Sequence, residues 1–205
     1  MRELPDPYVL AFLLVAGVSL LLCYNRLLAA VRGGGLCLHG LNGTQEMLGN
    51  KYICDSVRIE LLLLVPFYAL TLVVAGVSNA GYWWTLAGLL ALWLFRKIVI
   101  SLMGWLGSRQ AAFRAVERAG YTFAVLVMLA SVPALLLGWL APDAPDWLRW
   151  TLLALPAAAG LVFYFLRGRA LLLQTEFSSF FWVLYLCGLE ILPICVVVNR
   201  LINGN

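Results

Sequence analysis

The chain has 205 residues, of which 63% are hydrophobic and only 12% charged. A soluble domain runs at about 45–50% apolar and about 25% charged, so a soluble globule is excluded, as is a disordered chain. The formal charge of +4 is small, which argues against a nucleic-acid stripe and for contact with anionic lipid headgroups.

In chain order, apolar stretches long enough to cross hydrocarbon, about 20 residues each, fall at 8–28, 59–77, 82–106, 121–140, 150–166 and 177–198. They predict an all-α, polytopic transmembrane helix bundle of six spans forming a single membrane domain. Unbroken runs such as Leu61–Leu64 and Leu135–Leu137 contradict the alternation of a β-barrel. The first residues, Met1-Arg2-Glu3-Leu4-Pro5-Asp6, lack the net positive charge of a signal peptide, so the first helix is expected to stay as an anchor.

Residues 29–58 form the one long connection, expected on the cytoplasmic side. Gly33-Gly34-Gly35 is expected to end the first helix. The following stretch, 36–44, shows no helical periodicity, and a surface loop and a re-entrant segment both fit it. The link 78–81 is so short that the helices on either side must be antiparallel neighbours. Residues 107–120 read as a separate amphipathic helix, with Ala112, Phe113 and Val116 towards lipid and Arg109, Arg114 and Arg118 towards headgroups. Pro66, Pro133, Pro156 and Pro193 fall inside spans, where neighbouring helices commonly repair the lost hydrogen bond.

Basic residues near helix ends mark the cytoplasmic side. Nine of them, from Arg26 to Arg169, share one side of this arrangement, against Arg2, Arg149 and Arg200 on the other. The asymmetry predicts a bacterial inner-membrane protein with both termini non-cytoplasmic.

Three charges stand mid-span, away from loops and helix ends: Arg96, Lys97 and Glu190. A carboxylate in a membrane helix costs about 2.5–3.5 kcal/mol on insertion scales and usually faces the bundle interior. Pro193 removes the amide that would bond the carbonyl of Leu189, beside that acid. Glu190 therefore reads either as a structural acid that locks two helices or as a site for a proton or ion. Arg96 and Lys97 are its candidate partners, although both can also snorkel to headgroups. Cys37, His39 and Cys54 are the candidate metal ligands, but Cys-x-His without a fourth ligand lacks the spacing of a zinc site, and no metal is expected. No catalytic or cofactor-binding motif appears, so no cofactor is expected and the role reads as non-enzymatic.

The stretch Phe180-Phe-Trp-Val-Leu-Tyr-Leu-Cys-Gly-Leu-Glu-Ile-Leu-Pro193 resembles the C-terminal signature of an uncharacterised family of multi-pass inner-membrane proteins of Bacteroidetes, a domain of unknown function. The segment Phe95-Arg-Lys-Ile, followed by Leu102-Met-Gly-Trp-Leu106, is similar to that family's second recurrent stretch. The resemblance implies a polytopic inner-membrane protein of unassigned activity and carries over no catalytic residue. Two functions lead: an accessory or assembly subunit with a buried Glu190, or a small transporter or proton-coupled carrier using Glu190 with Arg96 or Lys97. A membrane enzyme, which would have to work with Cys37, His39, Glu46, Asp55 and Glu60 around the cytoplasmic loop, comes third. Expected partners are membrane lipids, and other inner-membrane proteins or further copies of the chain. No nucleic acid is expected.

Overall fold

With no water to satisfy it, an apolar segment closes its backbone hydrogen bonds on itself, and a helix is the way a single segment does so. The computed structural model, which describes residues 7–78, 81–106, 110–141 and 144–173, follows that rule: every regular element among the described residues is a helix. They are α1 (Pro7–Leu22), α2 (Tyr24–His39), α3 (Leu41–Gly49), α4 (Lys51–Val74), α5 (Tyr82–Leu106), α6 (Gln110–Ala130), α7 (Val132–Leu140) and α8 (Asp146–Leu173). Four helical segments, Lys51–Val74, Tyr82–Trp105, Gln110–Leu140 and Trp147–Leu173, are long and apolar enough to cross a membrane. The bent pair α1 and α2 makes a fifth if it counts as one span. The expected sixth span, 177–198, lies outside the described residues.

The first expected span is not one straight helix. It ends at Leu22, and α2 leaves at 77° after Cys23. The glycine triplet, expected to break the helix, lies inside α2. Glycine costs about 1 kcal/mol relative to alanine in a helix interior, and here close packing overrides that penalty. A Cβ on Gly33 would come within 2.6 Å of Ile53 Cγ2, and one on Gly34 within 2.6 Å of Leu126 Cδ2. Two missing side chains thus let α2 press against both α4 and α6.

The stretch expected to be irregular after the triplet is also helical, turning only at Gly40, whose φ of 143° suits glycine. Asn50 then caps α4, its side chain accepting from the Ile53 amide, so this helix starts well before residue 59.

A further correction concerns 107–120. From Gln110 this segment is the first half of α6, continuous with the fourth expected span as far as Ala130. Phe113 and Val116 face the core rather than lipid, at 3% and 0% exposure. Their spacing with Gly120 follows a helical stripe, and that stripe turns inward. Ser131 separates α6 from α7, and Pro133 stands in the first turn of α7, where proline is tolerated.

Helix α6 is the hub, packed against α2, α4, α5 and α8. The largest core cluster gathers Cys37, Met47, Val57, Leu61, Phe113, Val116 and Tyr164. Half of the apolar window of α4 is buried, against 11% of that of α5, which turns Trp84, Ile98 and Trp105 outward.

Candidate functional site

Arg96 projects from α5 into the space between α6 and α8. Its guanidinium carbon lies 4.8 Å from the centroid of the Tyr164 ring, a cation–π contact. Such contacts contribute about 0.5–1 kcal/mol when exposed and about 2 kcal/mol when desolvated. Gly120 on α6 makes room for it: a Cβ there would overlap the Arg96 guanidinium and reach 3.0 Å from Tyr164 Cε2. Lys97, one residue and 100° further round the helix, diverges from this seat. It is exposed, with Nζ 5.3 Å from the centroid of Trp93.

Beside Gly120, Tyr121 donates its phenolic hydrogen to Glu117 Oε1, one turn earlier on α6. Both residues are buried, at 3% and 8% exposure. The Tyr121 ring lies 6.4 Å from that of Trp93, and Arg96 is near enough to bear on Tyr121 electrostatically. An acid, a phenol and a guanidinium thus share one region, contributed by α5 and α6, with Tyr164 of α8 as the platform.

Arg96, Tyr121 and Tyr164 border a cavity of about 360 Å³ between α4, α5, α6 and α8, with Glu117 behind Tyr121 and outside the lining. Arg96, Trp93, Tyr121, Tyr164 and Tyr68 share its lining with aliphatic side chains such as Leu61 and Val127. Its walls are mostly apolar, and among the described residues its one cationic group is Arg96. That combination, an apolar body with a few convergent polar groups, is the usual make-up of a small-molecule site.

The candidate metal ligands do not converge. Cys37 is fully buried while His39, two positions on, is exposed on another side of α2. Cys54 is buried against Met47, its thiol 3.5 Å from the Met47 carbonyl oxygen. Among the described residues no group of three His, Cys, Asp or Glu side chains could hold a metal ion. The carbonyls of Cys37 and Leu38 instead accept from Arg167 of α8, at 3.0 Å and 3.1 Å. Arg167 therefore closes the C-terminal end of α2, where a cation is favoured. Glu190 and Pro193 lie outside the described residues.

Sequence reasoning missed Glu117 and Tyr121, and it placed Glu60 beside the cytoplasmic loop rather than inside the bundle. The signal was present: Glu117 and Tyr121 stand four apart in a segment whose apolar positions already had helical spacing, so the pair had to meet on one face.

An all-helical bundle with several helices of membrane-crossing length and a cavity of apolar walls defines an integral membrane protein of unassigned activity. The family model of a domain of unknown function (DUF4271) matches residues 49–201, and the chain belongs to that family. The matched region runs from the cap of α4 through the four helices that enclose the cavity. No curated protein matches the chain, and no solved structure does.

Proposed function

We propose that the protein is a multi-pass, non-enzymatic protein of the bacterial inner membrane that binds a small amphipathic anion, as a carrier would. The cavity carries this reading: it is large enough for an apolar body and offers Arg96 to an anionic head. The resemblance of the C-terminal stretch to the Bacteroidetes family supports the bacterial inner membrane. The crowding of basic residues on one side supports termini outside the cytoplasm. A long-chain fatty acid tests the binding. It should raise the melting temperature of the detergent-purified protein, while its methyl ester should not, and Arg96→Gln should erase the difference. Equal shifts with acid and ester, retained in that variant, would remove the anion from the proposal.

A second reading, the accessory or assembly subunit, is favoured by α5, which buries only 11% of its apolar window. Such a flank suits a neighbouring membrane protein or a second copy. In this reading Glu190 is the acid that locks the bundle, with Arg96 as its partner. Exchanging the two charges should then restore a protein level that either single change lowers. Recovery of the chain from mild detergent only as a lone monomer would count against this reading.

A further inference from the structure

Glu60 of α4 is fully buried, and among the described residues neither of its carboxyl oxygens has a hydrogen-bond partner. One turn earlier Ser56 is 1% exposed, and its hydroxyl oxygen is likewise without a partner. Helical geometry sets Ile53, Ser56, Glu60 and Phe67 along one face. At one end of that face α2 packs through Gly33 on Ile53, and at the other α1 packs through Gly17, whose Cβ would lie 3.7 Å from Phe67 Cζ. Glu60 falls between these contacts, and so faces the elbow at Cys23 where the two helices turn by 77°.

The elbow is polar for a membrane interior. Cys23 provides no side-chain cap to α2, while its amide donates to the Ser19 carbonyl and its own carbonyl accepts from the Arg26 and Leu27 amides, so that carbonyl is not left over as a ligand. Arg26, in the first turn of α2, is the cation whose field reaches Glu60 from that side. From α6 the charged and titratable groups against α4 are Glu117, Arg118 and Tyr121, and the Tyr121 hydroxyl is engaged by Glu117. A cleft of about 350 Å³, lined by Arg26, Tyr52, Asp55, Ser56, Arg58 and Ile59, leads to Ser56.

We propose that Glu60 is a proton-binding site at the elbow of the first helix, with Ser56 and the adjoining cleft as its route to water. An ionised carboxylate with no donors is costly in such a place, whereas the neutral acid is tolerated, and ionisable groups inside membranes mark proton relays. The occupant is a proton rather than a metal cation because a hard cation takes about six oxygen ligands. The two carboxyl oxygens and one hydroxyl supply three, with Arg26 opposing a second positive charge. The site is separate from the Arg96 cavity, so it stands if the fatty-acid experiment fails.

An apolar carbodiimide, dicyclohexylcarbodiimide, reacts with protonated acids buried in membranes and so reads this site on the full chain in lipid nanodiscs. Mass mapping should place the adduct on Glu60, and labelling should fall about tenfold per pH unit above the midpoint of a single titrating group. Glu60→Gln should lose the adduct, and Glu60→Asp should keep it. Infrared difference spectra of the unmodified protein between acid and alkaline pH give a second readout, a protonated-carboxyl band that isotope-edited Glu60 shifts. Absence of both adduct and band overturns the proposal, and so does protection of Glu60 by sodium ions at fixed pH, which would mean a cation site.

Discussion

The Arg96 guanidinium carbon sits over the Tyr164 ring, 4.8 Å from its centroid, because Gly120 beside them has no side chain. Charge, aromatic platform and gap come from α5, α8 and α6, so the contact ties three helices together. It also sets a cation on the wall of a mostly apolar cavity.

Gly120→Ala should therefore lower the thermal stability of the purified protein by about 1–3 kcal/mol, the usual cost of overpacking. Gly35→Ala is the matched control, because a Cβ there meets nothing within 4 Å. It should be neutral, or stabilise α2 by up to about 1 kcal/mol through helix propensity alone. Fluorescence-detected melting in detergent separates the two. Equal effects would show that the Gly120 gap does not seat the arginine.

Arg96→Lys keeps the charge and loses the planar group that stacks on a ring. A loss of about 1–2 kcal/mol is expected from this single change. Tyr164→Leu should cost a similar amount, and the double variant should cost clearly less than the sum, since both remove one contact. Additive losses would mean that the two residues act independently.

Tyr121→Phe removes the donor from a buried carboxyl group. A stranded buried acceptor costs about 1–3 kcal/mol, more if it is charged. Combining the change with Glu117→Leu should recover part of the loss, because no acceptor is then left unsatisfied. A double variant less stable than Tyr121→Phe alone would contradict the hydrogen-bond account.

Arg167→Met should free the carbonyls of Cys37 and Leu38. Charge-assisted hydrogen bonds contribute about 1.5–3 kcal/mol. Local fraying is the expected result, with hydrogen exchange rising in the last turn of α2 and little changed in α5. Uniform acceleration along the chain would point to global loss of stability instead.

Composition and hydropathy made the helical, lipid-dwelling class legible, because in lipid only helices and closed barrels satisfy the backbone and the unbroken apolar runs exclude a barrel. Arg96 was legible as a candidate too, as one of two adjacent charges with apolar runs on both sides of the pair. The glycine triplet was not: its meaning lies in Ile53 and Leu126, residues of other helices that no local pattern reveals. Glu60 and Glu117 were hidden for a related reason. Apolar windows end where charges cluster, so Glu60 was placed at the margin of a span and Glu117 in a connecting helix, whereas Asn50 starts α4 early and α6 runs through 110–120 unbroken. Helix boundaries set by capping and packing carried those carboxyls into the bundle.

The bend at Cys23 bears on the surrounding lipid as well as on the protein. At 1.5 Å per residue, the 16 residues of α1 extend about 24 Å, short of the roughly 30 Å of hydrocarbon in an ordinary bilayer. For α1 to cross, the bilayer beside it must thin by several ångströms or draw the first turn of α2 inward, and each ångström of mismatch carries a cost. Where α1 crosses, the bent helix is a gauge of thickness, and short-chain lipids should then gather against it in preference to long ones.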